Sequence, residues 1–321
     1  MAAGDSELIR QQRQSLGVYQ AQRCVDTHCH CLPGIDDGPS SLEESFALCR
    51  ALVQQGITHV IATPHQLGRY EGAVSAPVIR RAVKTLNESL LTERIPLTIL
   101  PGAEIRVDER VASLLQEDEL MTLADRRRHV LLELPFDLYF DLSPLLAQLQ
   151  AMDLRAVIAH PERNRVIAKN PERIRSWSEY DPILQITCGS VVGRFGPSVQ
   201  AASFALMELG FQVLLASDAH DTQGRSPCFA ESFAAVNHYF SFGVAQRYCI
   251  EAPLHLIDSL SQACSRPRLS ERAVVKAEAK KARRRTEGSL SRAQSRDLNP
   301  FLSTTPIHGL CSQSGSKGEH N

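Results

Sequence analysis

The stretch CVDTHCHCLPGIDDG, Cys24 to Gly38, gathers two histidines, three aspartates and three cysteines into fifteen residues. If its first half is extended, side chains alternate between faces, so Asp26, His28 and His30 share one face while Cys29 and Cys31 take the other. His28 and His30 then form a two-pronged imidazole ligand, and the two cysteines read as small core residues behind it. Two imidazoles do not by themselves make a metal site. Carboxylates and further imidazoles must arrive from elsewhere in the chain.

The elements that deliver them follow from the hydrophobic pattern. Between about Cys24 and Leu260, short apolar runs alternate with helix-length amphipathic segments, the rhythm of β/α units. Seven strands are predicted: Val25 to Cys31, Thr58 to Thr63, Leu97 to Pro101, His129 to Leu134, Ala156 to His160, Ile183 to Thr187 and Gln212 to Ala216. The segment SSLEESFALCRALVQQG reads as a helix opened by a capping box from Ser41 to Glu44 and stopped at Gly56. Further helices are predicted over Pro77 to Thr92, Pro144 to Met152 and Ser198 to Leu209.

In parallel α/β architectures, functional groups collect where the loops follow the carboxyl ends of the strands. Strand one ends in His28, His30 and the Asp36–Asp37 pair. The second is followed by ATPH with His65, the third by PGAEI with Glu104, and the fourth contains LLELP with Glu133. Strand five ends in IAHPERNR, with His160, Glu162 and Arg163; strand seven ends in LASDAHDTQGR, with Asp218, His220 and Arg225. Only strand six, ending TCGSVVGRFG, brings no metal-type ligand.

A lone histidine at a strand end is usually a hydrogen-bonded structural residue, and His59, His129 and His238 are read that way. Convergence makes the other reading. The set His28, His30, Asp37, His65, Glu104, Glu133, His160, Asp218 and His220 would be costly to bury unless cations neutralised its carboxylates. Imidazole and carboxylate ligands without thiolate point to Mn²⁺, Zn²⁺ or Fe²⁺. The supply exceeds the needs of one ion, so two or three are expected, with Glu104 or Glu133 bridging. Closely spaced cations activate water and hold an oxyanion in line for attack, which matches phosphomonoester hydrolysis. Arg163 and Arg225 lie beside ligand residues and suit phosphate oxygens; pairing with an aspartate is the other reading of each. Asp26 is expected to orient a ligand histidine. Arg69 or Tyr70, in QLGRYEG, lines the substrate mouth or belongs to an exposed loop.

The totals set outer bounds. The 321 residues suit one barrel-sized domain or two ordinary ones, and 43% hydrophobic with 22% charged residues is globular composition. No apolar run approaches a membrane span, and the first twenty residues have no apolar core like that of a signal peptide. Nine cysteines in no disulfide-like spacing favour a reducing compartment, the cytoplasm. Three parts are expected: an extension over 1–23, a catalytic domain over 24–262, and a tail over 263–321. Between Arg266 and Pro300, eleven Lys or Arg stand against four Asp or Glu, so a tail of about +7 offsets a body of about −8 within a net charge of −1. No aromatic residues interleave that charge to stack on bases, so the tail reads as a solvated or disordered extension and no nucleic acid is expected.

The ordered motifs DTHCH…GIDDG, ATPH, GAEI, LLELP, AHPERN and SDAHD…GR resemble the PHP (polymerase and histidinol phosphatase) superfamily. Within it they are most similar to bacterial capsular and exopolysaccharide-type protein-tyrosine phosphatases. The resemblance implies a distorted seven-stranded (β/α)7 barrel of TIM-like form and a trinuclear site, usually manganese-dependent. By the same resemblance His28, His30, Glu104 and Asp218 serve one ion, Glu104, Glu133 and His160 a second, and Asp37, His65 and His220 a third. Arg163 and Arg225 match phosphate-contacting arginines. The implied substrate is phosphotyrosine on a bacterial tyrosine kinase that controls polysaccharide export.

Three rivals accompany that reading. A histidinol-phosphate phosphatase, or another PHP-type phosphoesterase such as a nuclease-like relative, would keep the metal site and change the substrate. CGSVVGR, Cys188 to Arg194, satisfies Cys-x5-Arg, the phosphate loop of cysteine-dependent tyrosine phosphatases, although Thr187 stands where a histidine usually precedes it. A silent scaffold binding DNA or membrane through its basic tail is the third.

Overall fold

A computed structural model describes residues 23–258. The extension over 1–23, apart from Arg23, the basic tail over 263–321 and the last residues of the 24–262 domain lie outside the described residues. Nine strands run through the described chain: β1 (Val25–Cys29), β2 (His59–Ala62), β3 (His65–Gln66), β4 (Thr98–Pro101), β5 (Glu104–Arg106), β6 (His129–Glu133), β7 (Arg155–Ala159), β8 (Ile183–Thr187) and β9 (Gln212–Ala216). Every pairing is parallel, in a three-stranded sheet of order β1-β2-β4 and a six-stranded sheet of order β3-β5-β6-β7-β8-β9. Helices connect them, as α/β patterning requires.

All seven predicted strands are present, with ends shifted by a residue or two. The additional pair, β3 and β5, comes from segments that the sequence reading places in loops. Ala62 stands opposite Pro101 and, three residues on, His65 stands opposite Glu104, so the β2–β4 ladder resumes in the same register as β3–β5. Residues Thr63–Pro64 and Gly102–Ala103 make the interruption. Pro64 has no N–H to donate, although its carbonyl accepts from Glu104 N at 3.1 Å. Gly102 lies so close to the neighbouring strand that a Cβ there would sit 2.5 Å from Ile61 Cγ2. The break therefore leaves His65 and Glu104 side by side beyond it.

β1 ends at Cys29 and not at Cys31, because beyond it the chain bonds across to the segment after β9. His30 N donates to Ala219 O at 2.9 Å, and Asp218 N donates to His28 O at 2.8 Å. These bonds bring the His28–His30 pair against Asp218–His220.

The helix expected from SSLEESFALCRALVQQG spans Leu42–Gln54 and buries Ser45, Leu48, Cys49 and Leu52, one stripe at helical spacing. Each buried leucine contributes roughly 1.5–3 kcal/mol. Ser41 Oγ caps the helix by accepting from Glu44 N at 3.3 Å. The returning Glu44 carboxylate accepts from Ser40 N and Ser40 Oγ, one residue earlier than a standard capping box. The other predicted helices appear as Ala76–Thr92, Ser143–Ala151 and Pro197–Met207. Inward strand residues Val25, Ile61, Leu131, Val157, Ile183 and Leu214 pack with Leu256 and Ile257 in one cluster. Cys29 and Cys31 lie in the larger core beneath the helices, as expected.

Candidate active site

The carboxyl ends of the strands bring eight of the nine expected ligands into three overlapping groups. His28, His30, Glu104 and Asp218 form one, His30, Asp37, His65 and His220 another, and His65, Glu104 and Glu133 a third; within each, one candidate ligand atom per residue lies within 4.8 Å of all the others. Two of the groups reproduce the sets implied by the motifs, with His30 added to the second. The remaining set differs: His65, and not His160, joins Glu104 and Glu133. His160 instead places Nε2 2.8 Å from Glu104 Oε1, on the far side of the same carboxylate. His160 (φ 31°) and Asp218 (φ 52°) both have left-handed backbone just beyond β7 and β9, a strained conformation that recurs where the fold must aim a functional side chain.

Hydrogen bonds fix which imidazole nitrogen faces the cluster. Gln185 Oε1 accepts from the backbone N of His160 at 3.3 Å, which identifies it as the amide oxygen; it then also accepts from His28 Nδ1 at 2.8 Å. Asp36 Oδ2 accepts from His30 Nδ1 at 2.6 Å, and the carbonyl of Asp218 accepts from His220 Nδ1 at 3.1 Å. In the neutral rings, Nε2 of all three therefore keeps its lone pair. His28 Nε2 and His30 Nε2 stand 3.2 Å apart. Glu104 Oε2 is 3.4 Å from each, and Asp218 Oδ1 is 3.3 and 3.5 Å away. Donors spaced in this way match the edge of a tetrahedron around an ion bound at about 2.0–2.1 Å, which is about 3.3 Å. Asp218 Oδ1 and His220 Nε2 are buried without a hydrogen-bond partner, so the donor set is complete for a cation and unsatisfied by protein alone.

Electrostatics agree. Burial works against charge on His28 and His30, yet Glu104 and Asp218 beside His28, and Asp36 beside His30, raise both above the ordinary histidine value. Burial likewise opposes ionisation of Glu104 and Asp218, but the surrounding imidazoles, with Arg225 at Asp218, hold both carboxyls well below the usual range. The His220 and His65 imidazoles, 3.3 and 3.4 Å from Asp37 Oδ1, hold that carboxyl below it too. Burial, with His30 nearby, pushes His220 down to about 4, leaving its ring neutral. Protons on the His28–His30 pair thus partly play the part of a cation between carboxylates.

Both expected arginines reach Asp218. Arg163 Nη1 and Arg225 Nη2, the latter at 2.7 Å, donate to Asp218 Oδ2, the oxygen turned away from the histidine pair. The aspartate pairing foreseen as their alternative role is therefore present. Arg163 also lies over two aromatic rings, its guanidinium carbon 5.1 Å from the centre of Phe136 and 4.7 Å from that of Phe195. Glu133 Oε2 accepts from Arg106 Nη1 at 3.1 Å, and Tyr70 stacks on His65 with ring centres 5.4 Å apart. Arg69 donates to the Tyr70 hydroxyl and lies 3.3 Å from Asp37 Oδ2, so both residues border the cluster.

Asp26 does not orient a ligand ring. Its carboxylate accepts from Ser217 N at 3.0 Å, from Ser217 Oγ at 2.5 Å and from His28 N, so it ties β1 to the end of β9. Burial nevertheless pushes its carboxyl up to about 6. The orienting residues are Asp36 and Gln185. Asp36 stands six residues after His30, its only signal in the sequence; Gln185 is signalled only as an amide in the middle of the apolar run ILQIT. Glu162 is a buried structural group whose carboxylate accepts from Thr187 N at 2.9 Å. Cys188 is fully buried, and burial with Cys228 and Cys249 nearby raises its thiol well above the ordinary value, which argues against a thiolate nucleophile.

The comparisons with known proteins agree with the motif resemblance. Tyrosine-protein phosphatase YwqE of Bacillus subtilis is 41% identical over 204 residues, 63% of this chain and 79% of the relative. Tyrosine-protein phosphatase CpsB of Streptococcus pneumoniae is 25% identical over 241 residues, 73% of this chain and 98% of the relative. A crystal structure from work on YwqE and CpsB, described as unique metal-dependent tyrosine phosphatases, superimposes with a TM-score of 0.70 at 35% identity, covering 74% of this chain and 96% of that one. Residues 24–258 match the sequence profile of the family described as capsular polysaccharide synthesis, CpsB/CapC, and this chain belongs to that family.

Proposed function

We propose that this protein is a metal-dependent protein-tyrosine phosphatase, acting on phosphotyrosine of a bacterial tyrosine kinase of capsule or exopolysaccharide synthesis. The observation that carries the reading is the convergence of eight imidazole and carboxylate ligands in a chain whose relatives are named tyrosine phosphatases. His28, His30, Glu104 and Asp218 would hold one ion, with His65, Glu104 and Glu133, and the His30, Asp37, His65 and His220 group, completing two or three sites. Glu104 is the bridging candidate, since its Oε2 lies 3.4 Å from His28 Nε2 and 3.1 Å from His65 Nδ1. The mixed imidazole and carboxylate donor set, without thiolate, suits Mn²⁺, Zn²⁺ or Fe²⁺, and Mn²⁺ is the ion that the motif resemblance implies. Such cations, when bound, make water nucleophilic near neutral pH and offset phosphate charge.

The chain's own groups supply the rest. Arg163 and Arg225 approach the ligand set from the side of Asp218 Oδ2, where their remaining N–H groups can bind non-bridging phosphate oxygens. Asp36 and Gln185 keep the lone pairs of His30 and His28 aimed inward, so the donor set is in place before substrate arrives. Ends of β1 and β9 joined at Cys29 and Ala219 support closure of the sheets into a distorted seven-stranded barrel. No helix among the described residues is long and apolar enough to cross a membrane, and the cytoplasm, which the cysteine usage of the sequence favours, is the proposed compartment.

Phosphate release from a phosphotyrosine peptide and from histidinol phosphate, with and without a chelator, tests the reading. Preference for the peptide, loss with chelator and recovery with Mn²⁺ are expected. Preference for histidinol phosphate would favour the alternative phosphoesterase, and activity indifferent to chelation would contradict both.

A further inference from the structure

Strand β8 contributes no metal ligand, yet the segment after it carries Phe195, and the Arg163 guanidinium carbon lies over both the Phe195 and the Phe136 rings, 4.7 and 5.1 Å from their centres. Isolated exposed hydrophobic side chains are ordinary. Two rings that are 44% and 36% exposed, both against one buried-edge arginine beside the ligand cluster, are a built arrangement. The geometry points to Phe136 and Phe195 as the specificity-determining pair that receives the phenyl ring of phosphotyrosine, an inference that rests on the phosphatase reading.

Their placement is fixed by specific bonds. Asn164 Nδ2 donates to Pro135 O at 2.6 Å and to Leu138 O at 2.8 Å, and Arg165 N donates to Phe136 O at 2.8 Å. The loop after β6 is thereby clamped to the loop that carries Arg163. Asn164 Oδ1 meanwhile accepts from Val166 N and Ile167 N, so the clamp is itself the cap of the next helical turn. Phe136 also lies parallel to His160, with ring centres 6.4 Å apart. Phe195 rests on Gly189, where a Cβ would meet its ring at 3.1 Å; any larger residue would push the ring from its seat.

The chemistry follows from what the substrate carries. Its phosphoryl group is drawn to the arginines and cations, and its ring, one ester oxygen away, must lie just outside them. There it meets aromatic faces whose preferred partners are ring edges and faces. An alkyl phosphate, or phosphate itself, has nothing to offer those rings. The pair would therefore favour aryl esters without touching the reacting atoms.

Steady-state kinetics of the full-length protein with added Mn²⁺ separates ring recognition from a merely structural role. The KM for a phosphotyrosine peptide reports both ring and phosphate, whereas the Ki of inorganic phosphate reports phosphate alone. For Phe136→Leu and Phe195→Leu, KM should rise about threefold to tenfold while the phosphate Ki stays within about twofold. Phe136→Tyr, which keeps a ring, should restore KM, and thermal melting checks that each variant is folded. Equal rises in KM and Ki would mean that the rings act only through Arg163 and would overturn the inference, as would no change in either. Failure of the unaltered protein to turn over phosphotyrosine while still binding phosphate would remove the phosphatase reading and the inference together, before any variant is made.

Discussion

The two ends of the same strands use histidine in opposite ways. At the amino ends, His59 and His129 sit beside arginines: Arg23 Nε is 3.4 Å from His59 Nδ1, and Arg155 and Arg128 add to burial in pushing His129 down to about 4. At the carboxyl ends, His28 and His30 face Glu104, Asp218 and Asp36 and are held above the ordinary value. Residue type is shared, and His129 is buried like the His28–His30 pair while His59 is half-buried; the neighbouring charge is reversed. Cys188 adds a control on the functional side, being at the end of β8 but turned into the core. At these positions the loops beyond the carboxyl ends deliver carboxylates to the histidines, whereas the amino ends present arginines.

Removing a ligand should test the contrast most severely. His28→Ala, His65→Ala or Asp218→Ala is expected to lower kcat by about a thousandfold or more, with circular dichroism unchanged, because each removes transition-state charge compensation. His59→Ala at the opposite end should leave kcat within about twofold. Equal losses at both ends would erase the distinction.

The amino end should reveal itself in stability and not in turnover. His129 is held neutral in the folded chain down to about 4 but titrates near 6.5 when unfolded, so between those values the unfolded state binds more protons. Stability should therefore fall as pH drops through that window, by up to about 3 kcal/mol, and be fully present above it. Urea unfolding of His129→Leu between pH 7 and pH 4 should show a shallower decline than the parent. An unchanged slope would mean that the neutral form is not what folding requires.

A smaller effect is expected one layer out from the ligands. Asp36→Asn and Gln185→Ala should weaken Mn²⁺ binding by about tenfold to a hundredfold, measured by metal titration, since each frees the ring that it orients. Cys188→Ser should leave turnover within about twofold, the smallest change of the series. Loss of activity in that variant with normal metal content would revive thiolate chemistry.

The strand order of ligands was readable because each motif is short, local and placed at the end of an apolar run. The His28–His30 alternation required only period-two geometry, and His65, Glu104 and the Asp218–His220 pair only their place after the predicted strands. The split of two strands around Pro64 and Gly102 was not readable, since it depends on a close approach to Ile61 that no local pattern announces. Asp26 was assigned to an imidazole because it shares the face of His28. Its carboxylate is taken by Ser217, 191 residues away, a contact that only the fold creates. The grouping of His160 apart from Glu133 likewise depends on side-chain reach across strands and not on order along them. Gln185 and the Phe136–Phe195 pair were missed for a shared reason: they are not ligand types, and their roles come from what they touch.

The central claim is that these side chains surround cations that the reaction requires. Turnover of a phosphotyrosine peptide measured against the metal content of the same purified protein tests it most directly. The account predicts two or more divalent ions per chain in active protein and turnover that falls to background as they are stripped and returns with Mn²⁺. Metal-free protein with undiminished turnover would contradict it.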